Sequence, residues 1–165
     1  MFHRILVPTD FSEPSDAALE YARVLARTFG ASLHLFHVVE DQFVTGPFGA
    51  EMYAPHPPST LSYLLAEAQA YLKQRLTNED RTTLRATTEL IVGTAARTIV
   101  DYAADNGYDL IVMGTHGRTG LAHVFVGSVA EHVVRSAHCP VLTVHTTPER
   151  VQLPVLERRS AAATA

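Results

Sequence analysis

This sequence predicts an open, doubly wound parallel sheet of five strands in the order 3-2-1-4-5, with helices on both faces. Three observations lead there. Short β-branched apolar runs alternate with amphipathic helical runs along the chain, the pattern that builds parallel sheets from βαβ units. The strand runs are almost continuously apolar rather than alternating, so both of their faces must be covered. The length of 165 residues, 47% of them apolar and 18% charged, suits one domain with a sizeable core. Right-handed crossovers then wind the sheet outward in both directions from its first strand.

Residues 3–8 (HRILVP) read as a buried first strand. Ala18, Tyr21, Ala22, Leu25 and Phe29 share one face of the helix that follows. Ser12 fits its N-cap, Pro14 its first turn and Gly30 the position just past its end. The second strand covers 32–39. Residues 40–58 hold Gly46, Pro47, Gly49, Pro55, Pro57 and Pro58 without a period, and read as a long mobile loop. The PHPP run at 55–58 reads as a rigid part of that loop rather than a polyproline ligand. A helix over 59–77 carries Leu61, Leu65, Ala68, Leu72 and Leu76 in register, and the third strand is expected at 84–91. A helix over 94–106 aligns Ala96, Ile99, Val100 and Ala103, and the fourth strand is 109–113. A glycine-rich loop, a helix at 128–137 and a last strand at 140–145 complete the domain, 1–146. Residues 147–165 read as a frayed tail.

In this strand order the chain reverses direction between strands 1 and 4. Ligands bind beyond the carboxyl ends of strands at such a switch point. That singles out residues 8–12 and 114–128. In the second segment Gly114, Gly117 and Gly127 can let backbone N–H groups approach an anion, and Ser128 fits the N-cap of the next helix. The free N–H groups of that helix start add partial positive charge, which makes a phosphate cradle. Arg118 can add a charge-assisted contact.

The spacing G-x2-G-x9-G-[ST], met by Gly114, Gly117, Gly127 and Ser128, resembles the nucleotide signature of ATP-binding universal stress proteins. ILVPTDFSE ending strand 1, FHVVE ending strand 2 and CPVLTV in the last strand extend the resemblance over residues 2 to 145. It implies a Rossmann-like sheet of the adenine nucleotide alpha hydrolase-like kind, binding ATP, ADP or AMP, with Mg²⁺ held mostly by phosphates and water. Carried over, the adenine contacts fall on Asp10 and Val38, with Pro8 and Thr9 walling the pocket. The ribose contacts fall on Met113 and Gly114, and the phosphate contacts on Gly117, Gly127, Ser128 and Val129. A carboxylate at position 10 can accept from the adenine amino group or from ribose hydroxyls, and the sequence leaves both open.

Plainer readings stand beside these. The glycines could be turn residues, Asp10 could cap the first helix, and Met113 and Val38 have the character of core side chains. His34 and His37 lie three apart on a strand, so they face opposite ways and cannot chelate together. His116 and His123 have no carboxylate at a ligand spacing, which argues against a transition-metal site. Cys139 has no activating neighbour and reads as a small buried core residue. No P-loop is present, the first strand–helix turn PTDFSEP has no glycine, and it lacks an SGG-type loop. These absences argue against a P-loop NTPase, a dinucleotide fingerprint and an adenylating enzyme. The residues therefore favour a binding module over an enzyme, and the resemblance implies a regulatory, stress-response role for it. The rivals are a slow ATPase or adenylate-transferring protein using His116 or His123, and an interaction protein that keeps the fold without the nucleotide.

A net charge of −4 provides no long-range attraction for nucleic acid or anionic membranes. No apolar stretch approaches the ~20 residues of a membrane span, and the N-terminal run is too short for a signal peptide. With a single cysteine, these features point to the cytoplasm. The last strand, PVLTVH, carries no lysine or acid to blunt its edge, so a homodimer paired antiparallel through 140–145 is expected. The alternative is that VQLPVL at 151–156 folds back over that edge. A protein partner is expected but its identity is not legible.

Overall fold

The computed structural model describes residues 1–40, 43–45, 51–53, 58–115 and 127–145. Five parallel strands form the sheet: β1 (Arg4–Pro8), β2 (Ser32–Glu40), β5 (Thr87–Gly93), β6 (Leu110–Gly114) and β7 (Val141–Val144). Their order is β5-β2-β1-β6-β7, which is the expected 3-2-1-4-5. The helices are α1 (Glu13–Phe29), α2 (Pro58–Arg75), α3 (Asn78–Thr83), α4 (Ala95–Asp105) and α5 (Ser128–Ser136).

Strand parity divides the core. Ile5, Val7, Leu33, Leu35, Leu110 and Val112 join Ala18, Leu19, Ala22 and Leu72 on the face covered by α1 and α2. Leu6, Phe36, Val38, Ile111 and Met113 join Ile99, Val100, Ala130 and Val133 on the face covered by α4 and α5. Alternate residues of each strand serve opposite cores, which is why the strands read as unbroken apolar runs.

Several boundaries differ from the expectation. The 40–58 segment contains two short antiparallel strands, β3 (Phe43–Thr45) and β4 (Glu51–Tyr53), paired from Phe43↔Tyr53 to Thr45↔Glu51. Three residues are too few to show a period, so this pairing left no signal in the sequence. The third long strand starts at Thr87 rather than 84, because α3 intervenes. Its capping box joins Thr77 and Asp80 reciprocally, a T-x-x-D signature visible in the chain. On α1 the residues facing the core are Ser15, Ala18, Leu19, Ala22, Arg23 and Ala26. Tyr21, Leu25 and Phe29 are only half-buried and pack beside that line. Small alanines let the helix approach the sheet, and the large residues fill its flank.

His34 and His37 do face opposite sides of β2. His34 is buried, with Nδ1 2.6 Å from Thr87 Oγ1 and Nε2 3.0 Å from Tyr102 Oη. Cys139 is half-exposed rather than buried, because it lies just outside the start of β7 at the rim of the second core. Burial of its thiol, with Asp109 nearby, pushes its pKa up, the opposite of a reactive cysteine. The tail, with its 151–156 segment, lies outside the described residues.

Candidate functional site

The candidate site is the rim where β1 and β6 end. The two strands pair through Ile5↔Leu110 and Leu6↔Ile111, so their carboxyl ends emerge side by side. β2 and β7 lie outside them, on opposite sides. This is the switch point of the sheet.

Beyond β1 the turn is built by side chains bonding to nearby backbone. Phe11 N–H donates to Thr9 Oγ1 at 3.0 Å, Thr9 Oγ1 lies 3.0 Å from Ser15 Oγ, and Ser15 Oγ–H donates to Ser12 O at 2.8 Å. Thr9 and Ser15 are both buried, so this hydroxyl chain satisfies groups that water cannot reach. Asp10 Oδ1 accepts from Ser12 N–H at 3.1 Å and from the Ser12 hydroxyl. Ser12 is the N-cap of α1 by backbone position, yet its side chain does not cap the helix, because its hydroxyl is turned onto Asp10. The carboxylate is thereby oriented by its own turn.

Beyond β6, Gly114 has a steric reason to be glycine. A Cβ there would lie 2.9 Å from both the carbonyl carbon and the Cβ of Pro14. The end of β6 and the first turn of α1 are therefore in contact. Thr115, itself buried, donates its N–H to Val144 O at 2.9 Å and accepts Gly127 N–H at its carbonyl. The second bond brings the start of α5 to the end of β6.

Gly127, with φ −67° and ψ 152°, is the N-cap of α5, and Ser128 is its first helical residue. This corrects the expectation that Ser128 caps the helix. The Thr115 bond holds Gly127 in extended geometry, so the helix begins one residue later. Among the described residues no side chain caps this end. Its first-turn N–H groups thus face the rim with the positive end of the helix dipole.

The fold brings Pro8, Thr9, Asp10, Met113, Gly114, Gly127, Ser128 and Val129 to one rim, with Val38 on the neighbouring strand. The side chains of Met113 and Val38 are buried in the second core, so they shape the floor from below. Gly117, Arg118, His116 and His123 lie outside the described residues. Sequence reasoning missed Phe11, Ser15, His37 and Thr115. Ser15 carried a weak signal as a hydroxyl inside the first helical turn; the others carried none.

The universal stress protein family model matches residues 1–145. The chain belongs to the universal stress protein family. Among curated relatives, universal stress protein MJ0531 of Methanocaldococcus jannaschii is 37% identical over 87% of this chain and 82% of its own length. Universal stress protein YxiE of Bacillus subtilis is 31% identical over 87% of this chain and 99% of its own. Among solved structures, universal stress protein UspA from Lactobacillus plantarum superposes with a TM-score of 0.71 at 33% identity, covering 87% of this chain and 97% of that one. Two universal stress proteins solved with nucleotides, one with cAMP (24% identity, TM-score 0.57) and one from Archaeoglobus fulgidus with dAMP (20%, 0.53), share the fold.

Proposed function

We propose that this universal stress protein binds ATP, or the related ADP or AMP, at the β1/β6 switch point and acts in the cytoplasm as a regulatory, stress-response module. The observation that carries this is the convergence of three features on one rim. They are a carboxylate oriented by its turn, a glycine strand end in contact with that turn, and a helix N-terminus that no described side chain caps, tied to the same strand end. A base that donates an amino hydrogen suits the carboxylate, and phosphates suit the free N–H groups. Two proteins of this fold hold adenine nucleotides in solved structures. Pro8, Thr9, Asp10 and Val38 would form the base pocket and Met113 with Gly114 the ribose wall. Gly117, Arg118, Gly127, Ser128 and Val129 would form the phosphate set. Among the described residues no group of three or more His, Cys, Asp or Glu is arranged to hold a metal, so Mg²⁺ would enter with the phosphates and their water.

Asp10→Asn is the test. Asparagine keeps an oxygen for Ser12 but places an NH₂ where a carboxylate oxygen stood. Calorimetry should show adenine nucleotide binding by the wild type and roughly ten-fold weaker binding by the variant, the loss expected for one charged hydrogen bond. A folded wild type that binds no adenine nucleotide at millimolar concentration defeats the proposal. Hydrolysis should be slow or absent, and multiple turnover at or above about 1 s⁻¹ would make it an enzyme instead.

The homodimer proposal also rests on geometry. Ile111 N–H bonds to Pro140 O and Thr115 N–H to Val144 O. Even-numbered residues of β7 therefore point their backbone groups at β6, and those of Val141 and Thr143 point outward from the sheet edge. Leu142 is 38% exposed on the same strand. An edge with outward N–H groups and no blunting charge is suited to pairing with a second copy.

A further inference from the structure

We propose that Phe11 and His37 are positioning residues that fix the Asp10 carboxylate for base recognition, an inference that rests on the adenine-nucleotide reading above. Phe11 has φ 66°, in the left-handed region. A bulky residue stays there only when its surroundings over-determine it. Phe11 is half-buried, so core packing alone does not account for a large ring where glycine would be unstrained.

Its surroundings supply the account. The Phe11 ring lies 4.4 Å from the His37 ring and 5.5 Å from the Tyr71 ring, centroid to centroid. The Arg75 guanidinium sits 5.0 Å over the same ring, itself anchored to Asp16 at 2.7 Å. His37 in turn holds the residue on the other side of Asp10. Its Nδ1 is 2.7 Å from Thr9 O, and because a carbonyl only accepts, Nδ1 carries the proton. Thr9 N–H donates to Phe36 O at 2.8 Å. β2 thus holds both backbone groups of Thr9, one through its main chain and one through an imidazole.

Asp10 stands between these two anchors. Thr9 is clamped to β2, and the Phe11 ring packs at a tilt against the ring that makes the clamp and against two residues of α2. Ser12 orients the carboxylate locally, and the turn that carries both is held in place by residues far away in sequence. Either loss, of the ring contacts or of the imidazole clamp, frees the turn while leaving the α5 end untouched. The expected signature is a loss of base discrimination without a loss of phosphate affinity.

The test measures ATP, GTP and inorganic tripolyphosphate binding by calorimetry, with thermal melts to verify folding. Phe11→Ala and His37→Leu should weaken ATP about five- to ten-fold, erase the preference for ATP over GTP, and leave tripolyphosphate binding unchanged. Phe11→Tyr keeps the ring, and His37→Asn places an amide N–H near the Nδ1 position; both should restore discrimination. Phe11→Gly adopts the same φ without strain but lacks the ring, so it tests the ring contacts even where the alanine variant does not fold; it should behave as Phe11→Ala does. Folded Phe11→Gly and His37→Leu that keep wild-type preference for ATP overturn the proposal, as does an equal loss of tripolyphosphate binding. A wild type that binds no ATP defeats the adenine reading and this inference together; a wild type that binds ATP, with variants of unaltered preference, defeats this inference alone.

Discussion

Asp80→Ala should be among the most destabilising single changes in the protein, although it lies away from the rim. Asp80 is 1% exposed. Its oxygens accept from Arg23 Nε at 3.0 and 3.2 Å, from Arg23 Nη2 at 2.8 Å and from Thr77 N–H at 2.8 Å. Arg23, also buried, further donates to Arg75 O at 2.6 Å and to Glu20. The network pins α1 to the α2–α3 corner. Alanine would leave a buried guanidinium short of its main counter-charge and would open the α3 capping box. Breaking a buried pair by removing one partner costs about 3–5 kcal/mol. Loss of a cap costs about 1 kcal/mol. One carboxylate serves both roles, so the two overlap, and about 4 kcal/mol is expected. For a domain of this size that is a fall in Tm of roughly 8–16 °C. Urea unfolding followed by circular dichroism, with a thermal scan, measures both. The double variant Arg23→Met/Asp80→Leu should recover most of the loss, because it leaves no charge buried. A cost below about 1 kcal/mol for Asp80→Ala, the value of an exposed pair, would refute the reasoning.

The same carboxylate sets an acid limit. Burial pushes its pKa up, but bonds from Arg23 and Thr77 more than offset this and hold it below the ordinary value. Its stabilisation is complete above about pH 3.9 and is lost as pH falls through the lower folded value.

His34 works in a higher range. Burial lowers its pKa and Arg4 adds to this, against an opposing pull from Glu89, so stability is full above about pH 6.5 and declines as pH falls through the lower folded value. Tm measured between about pH 5 and 7 should slope less in His34→Gln than in the wild type, and equal slopes would count against the assignment. Gly114→Ala should cost about 1–3 kcal/mol by overpacking against Pro14, and should also weaken nucleotide binding by prising the α1 turn from β6; a melt unchanged from wild type would show that Pro14 yields freely. Thr143→Pro removes an N–H that points away from β6, so it should give folded monomers that still bind nucleotide, while the wild type sediments as a dimer at tens of micromolar; a monomeric wild type would refute the edge-pairing proposal.

The sheet order, the two-faced core and the location of the rim were all legible in the chain. Apolar runs such as ILV at 5–7 and LIVM at 110–113 mark strands covered on both faces, and their alternation with helical runs leaves few windings open. Gly114, Gly127 and Ser128 marked the loop, although for Gly114 the reason proved to be Pro14 rather than a ligand alone. The α3 helix is legible in its T-x-x-D capping box, whereas the short pairing of β3 with β4 leaves no signal in the sequence.

What only tertiary structure decided is how the turn after β1 is held. Nothing in TDFSE announces a phenylalanine at positive φ, because local preference argues against it and only contacts from β2 and α2 impose it. Arg23 likewise reads as a surface residue until Asp80, 57 positions away, meets it in the interior. Periodicity and turn chemistry act between near neighbours and so are written in the sequence. Burial of charge and strain is permitted only by partners that folding brings from afar, and those partners become visible only once the chain is packed.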